Sequence, residues 1–142
     1  MIEPHRLRRH PRRDEGRVSV YFAIALTAII VIIGLTVDGS GQFRELQRAD
    51  SIAAEAARAG GQAINAGQAV SGGPKVVDPA LAMAAAQTYL TSAGVTGTVE
   101  VAADRLHLTV TVTIPYNTMM LSYIGIDQVV VTGRATAQLL TG

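Results

Sequence analysis

The sequence predicts an α+β chain hung from one long apolar helix, on three observations. A charge-free run fills residues 18–37, and two later stretches repeat small apolar residues at spacings of three and four. From Val95 onward the period changes to two, as strands with one covered and one wet face require. The architecture read from these is an N-terminal transmembrane helix with a helical extension, then a second helix and a three-stranded antiparallel sheet.

The apolar run reads VSVYFAIALTAIIVIIGLTV. As a helix it would span about 30 Å, the thickness of the hydrocarbon core of a bilayer. Its large aliphatic residues each favour insertion by about 0.3–0.6 kcal/mol, so the run enters a membrane on composition alone. It is longer than the roughly 7–15 residues of a secretory signal, and no A-x-A-like site follows it, so an uncleaved anchor is expected. The flanks orient it. Residues 1–17 hold six arginines against three acids, a balance of +3, leaving six bases against eight acids, −2, in the remainder. The positive-inside bias puts the N-terminus in the cytoplasm and the rest outside. Beside a span, the arginine cluster is a topology signal rather than a nucleic-acid arm, and anionic lipid is a further contact for it. Three regions follow: a basic cytoplasmic tail or leader at 1–17, the transmembrane helix at 18–37, and an extracytoplasmic α+β domain at 38–142 in a single-pass cell-membrane protein.

Composition limits what that domain can be. It has no cysteine, so disulfides, thiol catalysis and cysteine zinc sites are excluded. Tryptophan is absent and there are only two phenylalanines, so the core must be built by close approach of backbones rather than by large side chains.

Asp38-Gly39-Ser40-Gly41 follows the span. Two helical glycines cost about 1 kcal/mol each relative to alanine, so the helix is expected to bend here, or to break and restart. From Gln42 to Gln68 helical spacing returns, with Leu46, Ala49, Ala53, Ala56, Ala57, Gly60, Ala63, Ile64 and Gly67 on one stripe. The stripe consists almost wholly of small residues. It can cover the domain's own sheet, or also receive neighbouring copies or partner helices. A loop at 69–77 leads to Asp78-Pro79, an N-cap and a first helical position. The second helix runs over 79–93, with Leu81, Ala84, Ala85, Thr88 and Tyr89 expected inward and Gly94 closing it.

The strands follow. Val95, Val99 and Val101 alternate with threonines and Glu100; after a turn at 102–105, Leu106, Leu108, Val110, Val112 and Ile114 alternate with His107 and threonines. Pro115 is expected to end the second strand. Val129, Val131, Ala135, Ala137 and Leu139 define the third, with Gly133 read as a bulge or kink. The connection between the last two strands contains MMLSYIGI, either a helical turn at the sheet edge or an exposed contact patch.

No catalytic constellation is legible. His107 stands among threonines with no second histidine or paired carboxylate at ligand spacing, and the acids are scattered singly. No serine sits in a nucleophile-elbow context, and the interleaved aromatics of a nucleic-acid surface are missing. A non-enzymatic protein without metal or cofactor is expected.

One stretch resembles a known family. Asp14-Glu15-Gly16, then Arg17-Val18-Ser19-Val20-Tyr21-Phe22-Ala23 and the apolar run, then Val37-Asp38-Gly39, Arg44 and Leu46-Gln47-Arg48-Ala49-Asp50 before the alanine-rich Ala53-Ala54-Glu55-Ala56-Ala57, resemble the start of TadE/TadG-like pseudopilins of Flp (Tad) pilus assembly. The resemblance covers residues 14–66 and implies a pilin-like membrane component of a pilus assembly machine. It also implies a processing site between Gly16 and Arg17 for a prepilin peptidase. Many such proteins carry a glutamate at the fifth mature position, which would pair with a neighbour's terminal amine. Here Tyr21 stands there and supplies no anion, so the resemblance points to an assembly or initiation component rather than to a major filament subunit. The expected partners are other pilin-like or assembly-machine membrane proteins and the lipid bilayer, with no nucleic acid. Tyr21, Ala49, Ala53, Ala57 and Gly60 are the residues expected to pack against those partners. The alternative is a membrane-tethered extracytoplasmic binding domain of an envelope complex, in which the anchor is passive.

Overall fold

The computed structural model describes residues 14–63 and 77–139. Helix α1 spans Asp14–Gly61, helix α2 spans Pro79–Ser92, and the strands are β1 Thr96–Val101, β2 His107–Asn117 and β3 Gln128–Gln138, with a 3-10 turn at Leu121–Ile124 between the last two. The expected α+β architecture is the one observed. The tail before Asp14, the Ile64 and Gly67 positions of the stripe and most of the expected 69–77 loop lie outside the described residues.

Helix α1 is continuous for 48 residues, about 70 Å. The expected bend or break at Asp38-Gly39-Ser40-Gly41 does not occur. Gly41 lies directly under the Tyr116 ring, where a Cβ would collide with the phenol, so this glycine makes room for a neighbour instead of loosening the helix. Asp38 and Ser40 are likewise held, the Ser40 hydroxyl donating to the Val37 carbonyl at 2.8 Å. Tertiary contacts override the low helix propensity of the glycines.

The outer half of α1 changes character after Gly41. Ala49, Ala53, Ala56 and Ala57 are buried against α2 and the sheet, in one core with Ala82, Ala86, Leu90, Leu108, Val110, Val112 and Leu139. Helix α2 begins as its sequence dictates, with Asp78 Oδ1 accepting the Ala80 N–H at 2.8 Å and Pro79 in the first turn. It ends in a Schellman arrangement: Gly94 adopts φ +67, its N–H donates to Thr91, and the Val95 N–H donates to Leu90. Its inward face is Ala82, Ala86 and Leu90, with Leu81 and Ala84 exposed, which shifts the expected stripe by one residue. Alanines on every side of this helix give weak polarity contrast, so the face was set by where Leu90 finds depth.

The sheet is antiparallel in the order β1-β2-β3. Leu108, Val110, Val112 and Ile114 of β2 point into the core as the alternation predicts. Threonines line the other face, where the Thr109 and Thr136 hydroxyls meet at 3.1 Å. Pro115 does not end β2, which continues to Asn117 with Pro115 opposite Val130. Strand β1 begins at Thr96, opposite Thr113, so beyond that point β2 has one neighbour and tolerates a missing N–H. Nor is Gly133 a bulge: the β2–β3 register runs unbroken through Val112 and Gly133. A Cβ at Gly133 would enter the backbone of Ala49 and Asp50, so this glycine lets α1 lie directly on β3.

Candidate functional site

The two halves of α1 meet at Asp38, and the architecture is organised around that junction. Below it, Val20, Tyr21, Phe22, Ile24, Leu26, Ile29, Ile30, Ile32 and Leu35 are exposed, the surface a lipid-facing helix presents. Among the described residues α1 is the one helix long and apolar enough to cross a membrane. Above it, the small residues are buried in the domain. Asp38 itself is fully buried, and its carboxylate is the N-terminal cap of a segment distant in sequence. Oδ1 accepts the Met119 N–H at 2.7 Å, and Oδ2 accepts the N–H groups of Met120 at 2.9 Å and Leu121 at 2.7 Å. These are the orphan donors at the start of the 3-10 turn, whose own N-cap residue, Met120, supplies no side-chain bond.

Burial acts to raise the Asp38 pKa, but the Met119, Leu121 and Met120 N–H bonds and the Tyr116 hydroxyl outweigh it, leaving the carboxyl below its ordinary value. The carboxylate stands at the edge of the apolar span, its charged form favoured by the backbone donors around it.

The loop that Asp38 captures is closed on itself. The Thr118 N–H donates to the Asp127 carbonyl at 3.0 Å and the Thr118 hydroxyl to the Ile126 carbonyl, while the Ile126 N–H returns to Leu121 at 3.1 Å. A second acid of α1 reaches the sheet: Asp50 Oδ1 accepts the Arg134 N–H of edge strand β3 at 3.1 Å. Asp38 and Asp50 thus pin α1 to the loop and to the strand edge, with Gly41 and Gly133 allowing the approach at each point. Between α1 and the loop is a cleft of about 400 Å³ lined by Ile30, Val31, Gly34, Leu35, Met120, Leu121, Tyr123 and Ile124.

The residues expected from the sequence to form the site lie elsewhere. Gly16 and Arg17 lie exposed near the start of α1, and Tyr21 is 76% exposed on its apolar half. Ala49, Ala53, Ala57 and Gly60 are buried in the domain's own core, so in this conformation no partner helix reaches them. At Gly60 a Cβ would meet the Leu108 side chain and the Ala82 carbonyl. The buried alanines of the stripe thus cover the sheet. His107 is held by its own turn, Nδ1 lying 2.8 Å from Asp104 Oδ2, and no cluster of three metal-ligating side chains occurs among the described residues. Asp38 and Asp50 were legible only as members of a motif. Asn117 and Thr118 stand directly before the apolar MMLSYI and offer a local cap, so nothing in the sequence signalled the Asp38 bond.

The segment carrying the span, Asp38, Asp50 and the alanine stripe is the segment that compares with known proteins. Residues 16–63 match the Tad family model. Its description is "Putative Flp pilus-assembly TadE/G-like", and the match coincides with α1 from its first turns to its end. Comparison with curated proteins and with solved structures gave no match. The TadE/G-like segment and the apolar helix together describe a membrane-anchored protein, and the match supports involvement in Flp pilus assembly.

Proposed function

We propose that this chain is a minor pilin-like component of a Tad-type pilus assembly machine and acts by protein–protein contact. The observation that carries the reading is the coincidence of the TadE/G-like match with a single rigid helix. The N-terminus lies in the cytoplasm and the α+β domain outside, as the arginine excess before the span favours. The small-residue stripe is occupied by the domain's own core, so lateral packing against other pilin-like or assembly-machine helices falls to the exposed apolar half around Tyr21. A processing peptidase acting between Gly16 and Arg17 would remove the basic tail and leave this half intact.

Replacing residues 18–37 with an unrelated span, while keeping Asp38 onward, tests the reading. Loss of co-purification with the assembly machinery, with the domain still folded, is the expected result. Undiminished co-purification would favour the passive tether. The intact mass of protein extracted from its native membrane tests processing separately, the expected product beginning at Arg17.

A further inference from the structure

The apolar connection between β2 and β3 lies beside the membrane helix, not on the sheet. Its contact point is Gly34, where a Cβ would approach Met120 Cβ to 3.1 Å. Gly34 precedes Val37, the last residue of the apolar run, by about one turn, which places it about 5 Å inside the boundary of the span. Ile30 and Val31, which share the cleft with Tyr123 and Ile124, are about 10 Å inside it. The tip of the loop therefore lies level with lipid-facing residues.

The composition of the loop suits that depth. Residues 119–126 carry no charge, and Tyr123 and Ile124 are 87% and 73% exposed. Six of the eight backbone N–H groups of residues 119–126, which hydrocarbon would leave unsatisfied, are engaged within the structure. Asp38 takes the N–H groups of Met119, Met120 and Leu121, and those of Tyr123, Gly125 and Ile126 bond back to Met120, Ser122 and Leu121. The Ser122 hydroxyl is also engaged, donating to the Met119 carbonyl at 2.9 Å. Charge resumes at Asp127, where the chain returns to the sheet.

We propose that residues 119–126 form a second membrane-insertion element, dipping beside α1 into the leaflet on the domain's side. Tyr123 and Ile124 lie among the upper acyl chains, with the Tyr123 hydroxyl reaching toward the headgroup boundary, where an amphipathic ring is favoured. A depth of about 5–10 Å is that of interfacial apolar segments generally. Two attachments, one spanning and one dipping, fix the rotation of the domain about α1, so its threonine-lined face is held in one direction. The occupant is lipid because the floor of the cleft is the lipid-facing surface of the span itself. The inference rests on the anchoring of α1 and not on the pilus reading.

The chain lacks tryptophan, so Tyr123→Trp places a single indole at the tip. The full-length variant is reconstituted in phosphatidylcholine vesicles, with or without bromine near the top of the acyl chains. Thr136→Trp on the polar sheet face and Ile24→Trp within the span serve as the water and lipid references, and circular dichroism reports folding. The expected result is a blue-shifted emission that loses most of its intensity in brominated vesicles and resists aqueous acrylamide, as at Ile24. Ile124→Trp repeats the measurement should Tyr123→Trp not fold. Emission that behaves as at Thr136 would overturn the proposal. So would an indole shielded from both quenchers and crosslinking to a second copy or another protein. Failure of Ile24→Trp to respond to bromine would overturn the proposal together with the anchor.

Discussion

A single carboxylate can hold a remote segment because it offers more acceptor sites than any neutral side chain. Asp38 takes three N–H groups on two oxygens. Asparagine keeps one such oxygen and substitutes a donor for the other, which would face the N–H groups of Met120 and Leu121. Asp38→Asn should therefore release the start of the 3-10 turn, read as faster amide exchange at Met119, Met120 and Leu121 while the β2–β3 ladder keeps its protection. The nearby glycines separate in the same way. Gly39 has open space around its missing Cβ, whereas Gly41 lies under Tyr116. Gly39→Ala should stabilise the helix by up to about 1 kcal/mol, and Gly41→Ala should destabilise the fold, both measured by denaturant unfolding. A pH effect belongs to the β1–β2 turn. The Leu106 N–H and the His107 ring hold the Asp104 carboxyl below its ordinary value. A depressed folded pKa gives stability that is present above the unfolded value and lost as pH falls through the folded one. The stability difference between the native chain and Asp104→Asn should thus be largest near neutrality and shrink in acid, as followed by thermal unfolding across pH.

At the scale of elements, the assembly depends on backbones approaching without side chains between them. Ala53 and Ala57 are buried where α1 crosses α2 and the sheet, and Gly133 admits the backbone of α1 onto β3. Overpacking of this kind costs about 1–3 kcal/mol where the surroundings can yield. Ala57→Leu should therefore lower domain stability by at least about that amount, so any loss of partner binding in this variant would be read against its unfolding midpoint. Leu90 is the one large residue of α2 with no exposed surface, and Leu90→Ala should cost about 2–5 kcal/mol in the same measurement. The strands were the most legible elements, because Leu108, Val110, Val112 and Ile114 alternate with polar residues and each separate residue agrees on the face. The face of α2 was least legible, since its alanines look alike from every side and only contact distinguishes Ala82 from Ala84.

For the whole molecule, continuity of α1 is what couples the membrane to the domain. A hinge at the glycines would let the domain move independently of the span; an unbroken helix transmits tilt and rotation. Spin labels at the exposed positions Ile24 and Ala54 are thirty residues apart, about 45 Å along a straight helix. Pulsed electron paramagnetic resonance should give one narrow distribution near that distance, whereas a bend at Gly39 or Gly41 would give shorter and broader ones. The same rigidity gives the TadE/G-like segment a mechanical meaning, because nearly all of it forms one rod whose N-terminal half presents an apolar surface and whose C-terminal half is the spine of the domain.

The sequence by itself determined the apolar span, the two helices, the strand faces and the resemblance of the first helix to pilus-assembly proteins. All of these are written in local periodicity and composition, which each segment carries without reference to the rest. Tertiary structure decided whether Asp38-Gly39-Ser40-Gly41 bends, how deeply the alanine stripe is buried in the domain, and what the connection after β2 touches. Those outcomes turn on groups far apart in the chain, Asp38 with Met119 and Gly133 with Ala49. A pattern read along the sequence has no term for a bond or a clash that exists only after the chain has folded back on itself.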